Sequence, residues 1–139
     1  MHIRPFRAGD EAAVLPLWEA CGLTRPWNDP RKDIARKLAV QPELFLVGEI
    51  GGEVVATAMA GYEGHRGWVN YLAVSPAHQR KGLGRTLMQE VEQRLRGRGC
   101  PKINVQVRNA NASALAFYAR LGYARDEAVA LGKRLIRDA

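Results

Sequence analysis

Gln79, Gly82 and Gly84, interleaved with Arg80, Lys81, Leu83 and Arg85, stand between an apolar run that ends in Leu72, Ala73 and Val74 and a helix-like repeat. Backbone N–H groups at a helix start have no intrahelical acceptor. Together with the positive end of the helix dipole, they form an anion site. Glycines let the backbone approach phosphate oxygens without a Cβ in the way, and the three basic side chains add point charges. The plain alternative is a surface turn with glycines for geometry and cations for solubility. A Walker loop is excluded by spacing, because Gly84 is followed by Arg85 and Thr86 at the wrong distance. A dinucleotide fingerprint would need glycine where Leu87 stands.

A second set lies downstream: Asn111, Ala114, Tyr118, Gly122 and Tyr123. Asn111 and Tyr118 are two helical turns apart and share a face. A phenol there could protonate a departing thiolate, since the ordinary pKa values are about 10 for Tyr and about 8.5 for a thiol. Taken singly, Asn111 also reads as a helix N-cap, and Tyr118, beside Phe117 and Leu121, as a core aromatic.

The elements that must carry these sets follow from periodicity. Residues 3–6 suit a short strand. Residues 10–21 suit a helix with Val14, Leu17 and Trp18 inward, weakened by Pro16 and stopped by Gly22. A loop with Trp27 and Asn28 leads to Asp29-Pro30, an N-cap followed by proline at the first helical position, and to a helix reaching residue 40. Residues 44–50 and 53–61 read as strands joined by Gly51-Gly52. A loop over 62–67 precedes a strand over 68–74. The glycine-rich turn then opens a helix with Leu83, Leu87, Val91 and Leu95 on one face. Residues 102–107 form a strand, Asn111 begins a helix closed by Gly122, and residues 123–135 supply one or two final strands.

The chain has 139 residues, 47% of them hydrophobic and 25% charged, as expected for one globular domain over 1–139. No apolar stretch approaches the ~20 residues of a membrane span, no secretory signal opens the sequence, and the expected location is cytoplasmic. Cys21 and Cys100 make no disulfide framework. No metal-ligand spacing is present, so no metal is expected. The net charge of +7 is concentrated: residues 78–108 hold eight basic and two acidic side chains, giving +6. That excess invites an anionic partner.

Together the two motifs resemble the GNAT superfamily of acyl-CoA-dependent N-acetyltransferases. Gln79, Gly82 and Gly84 match its Q/R-x-x-G-x-G/A loop, and Asn111 to Tyr123 match N-x-x-A-x-x-x-Y-x-x-x-G-[FY], in the family's order. Residues 25–30 and 61–67 further resemble the bacterial YpeA-type acetyltransferases. The resemblance implies a mixed α/β fold: a central twisted, mostly antiparallel sheet of six to seven strands flanked by about four helices, in the order β-α-α-β-β-β-α-β-α-β(-β). It implies an acyltransferase that moves acetyl from acetyl-CoA, its cosubstrate, to a primary amine by direct transfer in a ternary complex. The backbone of Leu72, Ala73 and Val74 would hold the pantetheine arm and polarise the thioester. Residues 79–85 would cradle the pyrophosphate, Asn111 would contact the pantetheine end, and Tyr118 would be the general acid. Trp27 and Asn28 would shape the acceptor entrance, an alternative to a helix cap beside a packed tryptophan. RimI-type relatives carry a glutamate five residues before the asparagine. Here Gln106 stands there and cannot accept a proton at neutral pH. Glu63, or Glu49, or a water relay would take that role. Homodimers are frequent in such a family.

Two other classes stay in view. A CoA-binding sensor without catalysis would keep the loop and lack a base. A small basic nucleic-acid-binding domain would need exposed aromatics among its cations, and only Tyr71 lies between Trp68 and Phe117.

Overall fold

A computed structural model of the chain describes residues 1–138. Nine regular elements follow in order: β1 (His2–Pro5), α1 (Glu11–Ala20), α2 (Pro30–Leu38), β2 (Phe45–Ile50), β3 (Glu53–Tyr62), β4 (Gly67–Val74), α3 (Leu83–Arg96), β5 (Ile103–Val105) and α4 (Ala112–Arg120). Short 3-10 turns precede α1 and β2 and follow β4. The chain divides into two units, Met1–Val105 with Asp138, and Gln106–Arg137.

The first unit is built on one sheet of order β1-β2-β3-β4-β5, antiparallel except for the parallel pair β4–β5. The glycine pair expected to turn the β2–β3 hairpin does so, with both residues at positive φ. The parallel pair needs a crossover, which α3 supplies. Val14, Leu17 and Trp18 of α1 and Ile34 of α2 pack with Phe6, Phe45, Val47, Met59 and Ala73 in one cluster. Successive strand residues face opposite ways, so Leu46, Ala58 and Ala60 turn from that cluster. The fully buried Leu87, Met88, Val91 and Leu95 belong to α3, which packs on β3 and β4. The apolar face of α3 is thus the one expected, with Met88 added to it.

Local chemistry explains the helix ends. Asp29 caps α2 by accepting from the Arg31 N–H at 2.9 Å, and Pro30 takes the first position, where no N–H is needed. Gly22 at φ 70° closes α1: its N–H reaches Glu19 and that of Leu23 reaches Trp18, the paired bonds of a Schellman motif. Pro16 lies inside α1 on its exposed side, so its missing N–H costs a bond without crowding the core. At the sheet edge Arg4 of β1 forms a bidentate pair with Asp10, both contacts 2.8 Å, and reaches Glu49 of β2 at 3.2 Å.

The second unit contains α4. Asn111 caps it, its side chain accepting from the Ala114 N–H at 3.1 Å. The helix ends in a second Schellman motif, with Gly122 at φ 92° donating to Ala119 and Tyr123 donating to Tyr118.

The sheet has five strands where six to seven were expected. Among the described residues, 123–135 form no strand, and β5 spans three residues instead of the six of 102–107. The physical reason is that strand propensity describes a side-chain pattern and names no partner. The alternating tail has no ladder, and Val129 and Leu131 are 85% and 93% exposed. Smaller shifts are a first strand of residues 2–5 and an α2 that stops at Leu38, before Val40.

Candidate active site

The chemistry-bearing part of the first unit begins where β4 loses a neighbour. Gly67, Trp68 and Val69 pair with β3 on one side and β5 on the other. Beyond Val69 the β5 pairing ends, while Ala73 and Val74 still pair with Thr57 and Ala56 of β3. One edge of Leu72, Ala73 and Val74 therefore has no strand partner among the described residues. Backbone amides on such an edge are obligatory hydrogen-bonding groups seeking a ligand or water.

The β3–β4 register shifts at the start of this stretch. Thr57 faces Ala73 and Met59 faces Asn70, so β4 carries one residue more than β3 over the same length. The extra residue is a bulge, and Tyr71 stands in it at φ 50°. A left-handed conformation costs a non-glycine residue roughly 1–2 kcal/mol, and contacts on every part of Tyr71 offset that cost. Its carbonyl accepts from Thr57 Oγ1 at 2.8 Å, and its ring stacks on Trp18 at 3.8 Å between centroids. Its hydroxyl donates to Asp33 Oδ2 at 2.6 Å and accepts from Asn28 Nδ2 at 3.0 Å. Burial, reinforced by the bond to Asp33, pushes the phenol well above its ordinary pKa, so it stays protonated.

After β4 the chain turns through Pro76–His78 to the glycine-rich loop. Gln79 ties the loop back to the strand, its Nε2 donating to the Val74 carbonyl at 2.9 Å. Arg80 at φ 63° and Gly82 at φ 76° reverse the backbone before α3 starts. No side chain caps α3, so its first-turn amides keep their donor capacity. A Cβ at Gly82 would meet nothing within 4 Å; here glycine answers a φ requirement and leaves open space in front of the backbone. Arg80, Lys81 and Arg85 are exposed, Leu83 and Gly84 half-buried. His78, just before the loop, has a buried Nδ1 with no hydrogen-bond partner.

The acceptor-side candidates lie in the α1–α2 connection. Residues 25–28 form a tight turn, with the Asn28 N–H bonded to the Arg25 carbonyl at 3.1 Å. It leaves Trp27 53% exposed and sends Asn28 to Asp33 and Tyr71. Asp138 fastens the same region: its carboxylate accepts from the Asp29 N–H at 2.8 Å and from Arg36 at 2.7 Å. Arg36 and the Asp29 amide hold that carboxyl down at about 2.

Glu63 sits in the β3–β4 loop with its carboxylate accepting from the N–H groups of Arg66 and His65. Those bonds hold it below the usual carboxylate range, which makes it a weaker proton acceptor. Cys21 donates its thiol to the Val74 carbonyl at 3.3 Å, and burial pushes its pKa up. A thiol so placed is a poor nucleophile.

In the second unit Asn111 is engaged as the cap of α4, and Tyr118 packs edge-on to Phe117 and Tyr123 at 5.1 and 5.4 Å. Burial pushes the Tyr118 phenol up to about 12.

Among the described residues no group of three His, Cys, Asp or Glu side chains gathers to hold a metal, and no helix is long and apolar enough to cross a membrane. Of the arginine stripe on and after α3, Arg94 pairs with Glu90 at 2.9 Å and Arg98 with Glu43 at 2.8 Å.

The model of the acetyltransferase (GNAT) family matches residues 12–123. The chain belongs to the GNAT family. It is an acyltransferase of that family, which uses acetyl-CoA. It is 49% identical to an acetyltransferase of Pectobacterium atrosepticum over 99% of this chain and 98% of that protein. It is 50% identical, with the same coverage, to an acetyltransferase of Sodalis glossinidius. Among solved structures, the ribosomal-protein-S18-alanine N-acetyltransferase of Escherichia coli superposes with a TM-score of 0.72 at 26% identity, covering 87% of this chain and 76% of that one.

Sequence reasoning missed Thr57, Trp18, Asp33 and Tyr71 as a group. One signal was available: Thr57 is the only hydroxyl in the apolar run 54–60. A buried polar side chain needs a partner.

Proposed function

We propose that this acyltransferase carries acetyl from acetyl-CoA to a primary amine by direct transfer within one ternary complex. The observation that carries the reading is the one-sided pairing of Ala73 and Val74, after Leu72, next to the loop of residues 79–85. A strand edge with free amides suits an extended pantetheine arm. An uncapped helix start with open space at Gly82 and exposed Arg80, Lys81 and Arg85 suits a pyrophosphate.

In the step itself the amine nitrogen attacks the thioester carbonyl carbon, and a C–N bond forms. The tetrahedral oxyanion is held by backbone N–H groups of residues 72–74. The C–S bond then breaks, and the electron pair leaves on sulfur. Tyr118 serves the thiolate. A proton passing from a phenol near 12 to a thiolate near 8.5 climbs roughly 3 to 4 pK units, about 5 kcal/mol. Tyr118 therefore acts as a hydrogen-bond donor to the developing charge, and transfers its proton only as far as bound CoA lowers that gap. By the family's motif, Asn111 would contact the pantetheine end, and Trp27 and Asn28 would shape the acceptor entrance.

The ammonium of the acceptor must lose a proton first. Glu63 is set apart from the thioester, since it precedes Gly67 and the five residues of β4 from there to Leu72 span roughly 16 Å, and its two loop amides make it a weak base; both favour relay through water. An α-amine, ordinarily near 8, suits that relay far better than a lysine near 10.4. The Escherichia coli neighbour, named for an alanine of ribosomal protein S18, is in keeping with an amine acceptor. Direct transfer also agrees with Cys21, whose half-buried thiol, bonded to the Val74 carbonyl, is a poor relay for acetyl. The bacterial relatives are in keeping with a cytoplasmic enzyme, and a homodimer is compatible with this scheme.

The test is CoA thiol release from acetyl-CoA across chemically diverse amines. Amine-dependent release with intersecting initial-velocity lines and no acetylated enzyme supports direct transfer. An acetyl group found on Cys21 or Cys100 contradicts it. CoA binding without release for any amine would favour a sensor. In Tyr118→Phe, kcat should fall about tenfold with CoA affinity within twofold of wild type.

A further inference from the structure

The bulge at Tyr71 is held by an ordered chain of donors that the transfer scheme leaves unused. Trp18 Nε1 donates to Thr57 Oγ1 at 2.8 Å, and Thr57 Oγ1 donates to the Tyr71 carbonyl at 2.8 Å. Trp18 and Thr57 are both 0% exposed. The Trp18 ring lies flat on the Tyr71 ring, 14° from parallel. One indole thus fixes Tyr71 twice, through its N–H by way of Thr57 and through its face. The outer end of Tyr71 is fixed independently by Asp33 and Asn28.

A backbone residue at φ 50° persists only where its surroundings over-determine it. The next three residues are those whose free edge faces the proposed thioester. Rotating Tyr71 back to an extended conformation would shift the register and turn the amides of residues 72–74. Sheet stability alone does not call for this arrangement, since a regular β3–β4 ladder would pair one more residue.

We infer that Thr57 and Trp18 are positioning residues for acetyl transfer: their hydrogen-bond chain locks the Tyr71 bulge so that the amides after it point at the thioester oxygen. The inference rests on the proposed function, because it presumes that acetyl-CoA lies along residues 72–74. Neither side chain touches the reacting atoms. Both act through the Tyr71 backbone.

The experiment is infrared difference spectroscopy of [1-13C]acetyl-CoA bound to wild type, Thr57→Val and Thr57→Ser, with CoA affinity and steady-state kinetics on the same proteins. Valine keeps the shape of threonine and removes the hydroxyl; serine keeps the hydroxyl. Wild type should lower the carbonyl stretch relative to free acetyl-CoA. Thr57→Val should return it toward the free value and reduce kcat about tenfold, with CoA affinity and acetyl-CoA KM within twofold. Thr57→Ser should restore both signals. A Thr57→Val carbonyl stretch equal to wild type overturns the inference and leaves the proposed function standing. Equal loss of CoA and acetyl-CoA binding also overturns it, since that marks a purely structural role. Failure of wild type to bind acetyl-CoA overturns the proposed function itself. If Thr57→Val does not fold, Trp18→Phe, which removes the N–H and keeps a ring, takes its place: a carbonyl stretch returned toward the free value supports the inference, and one equal to wild type overturns it.

Discussion

The two halves of β4 receive the same extended backbone and use it differently. Gly67, Trp68 and Val69 spend their amides on β3 and β5, and Gly67 is packed so closely that an added Cβ would lie 2.8 Å from Cys100 Sγ and 3.0 Å from Leu95 Cδ1. Ala73 and Val74 pair on the β3 side alone, and side chains fix the backbone in place of a second strand: Gln79 and Cys21 hold the Val74 carbonyl, while Thr57 of β3 holds that of Tyr71. The first half shows what a strand does for stability. The second shows how a strand becomes a site, by withholding one neighbour and fixing the backbone from the side.

Breaking the closed half should have the largest effect. Gly67→Val forces Cβ into Cys100, Leu95 and Ile103, a steric conflict of about 2–3 kcal/mol. The expected result is a Tm lower by roughly 5–10 °C in calorimetry, with the acetyl-CoA affinity of the folded fraction retained. The open side should respond in the opposite way. Gly82→Ala meets no neighbour but must hold φ 76°, costing about 1 kcal/mol. Titration should show CoA binding weakened about five- to tenfold, with a Tm change of no more than a few degrees.

The third test is acid stability at the β1 edge of the sheet, away from both halves of β4. The bidentate Arg4 bond and the Arg7 amide hold Asp10 below its ordinary carboxylate value. A group whose folded pKa is depressed adds stability that is fully present above the unfolded value, about 4, and is lost as pH falls through the folded value. Denaturant midpoints of Asp10→Asn should therefore lie below wild type at pH 7 and converge with it as pH drops below 4. The smallest effect belongs to the exposed cations. Replacing Arg80, Lys81 and Arg85 by Gln should weaken CoA binding about two- to fivefold and flatten its dependence on salt, since exposed charges are screened. An equal salt slope in the two proteins would remove these side chains from the site.

What could be read from the sequence was local. Asp29-Pro30, Gly51-Gly52, Asn111 and Gly122 act on residues within four positions of themselves, and each does in the structure what its chemistry implies. The glycine loop was legible for the same reason, because positive φ and free first-turn amides are properties of a short segment. The Tyr71 bulge was not, because it arises from register between β3 and β4 and from Trp18, 39 residues before Thr57. The final strands failed for a related reason. The pattern around Val129 and Leu131 has strand character, and character alone supplies no partner. Glu63 was recognisable as a carboxylate in a loop, but only the folded turn shows its oxygen occupied by the amides of His65 and Arg66.

The central claim is that backbone amides of one half-open strand and one uncapped helix start bind acetyl-CoA. Hydrogen exchange of the protein with and without acetyl-CoA tests it directly. Slowed exchange should fall on the amides of residues 72–74 and 79–85, with those of residues 67–69 unchanged. Slowed exchange confined to other segments, or none at saturating acetyl-CoA, would contradict the account.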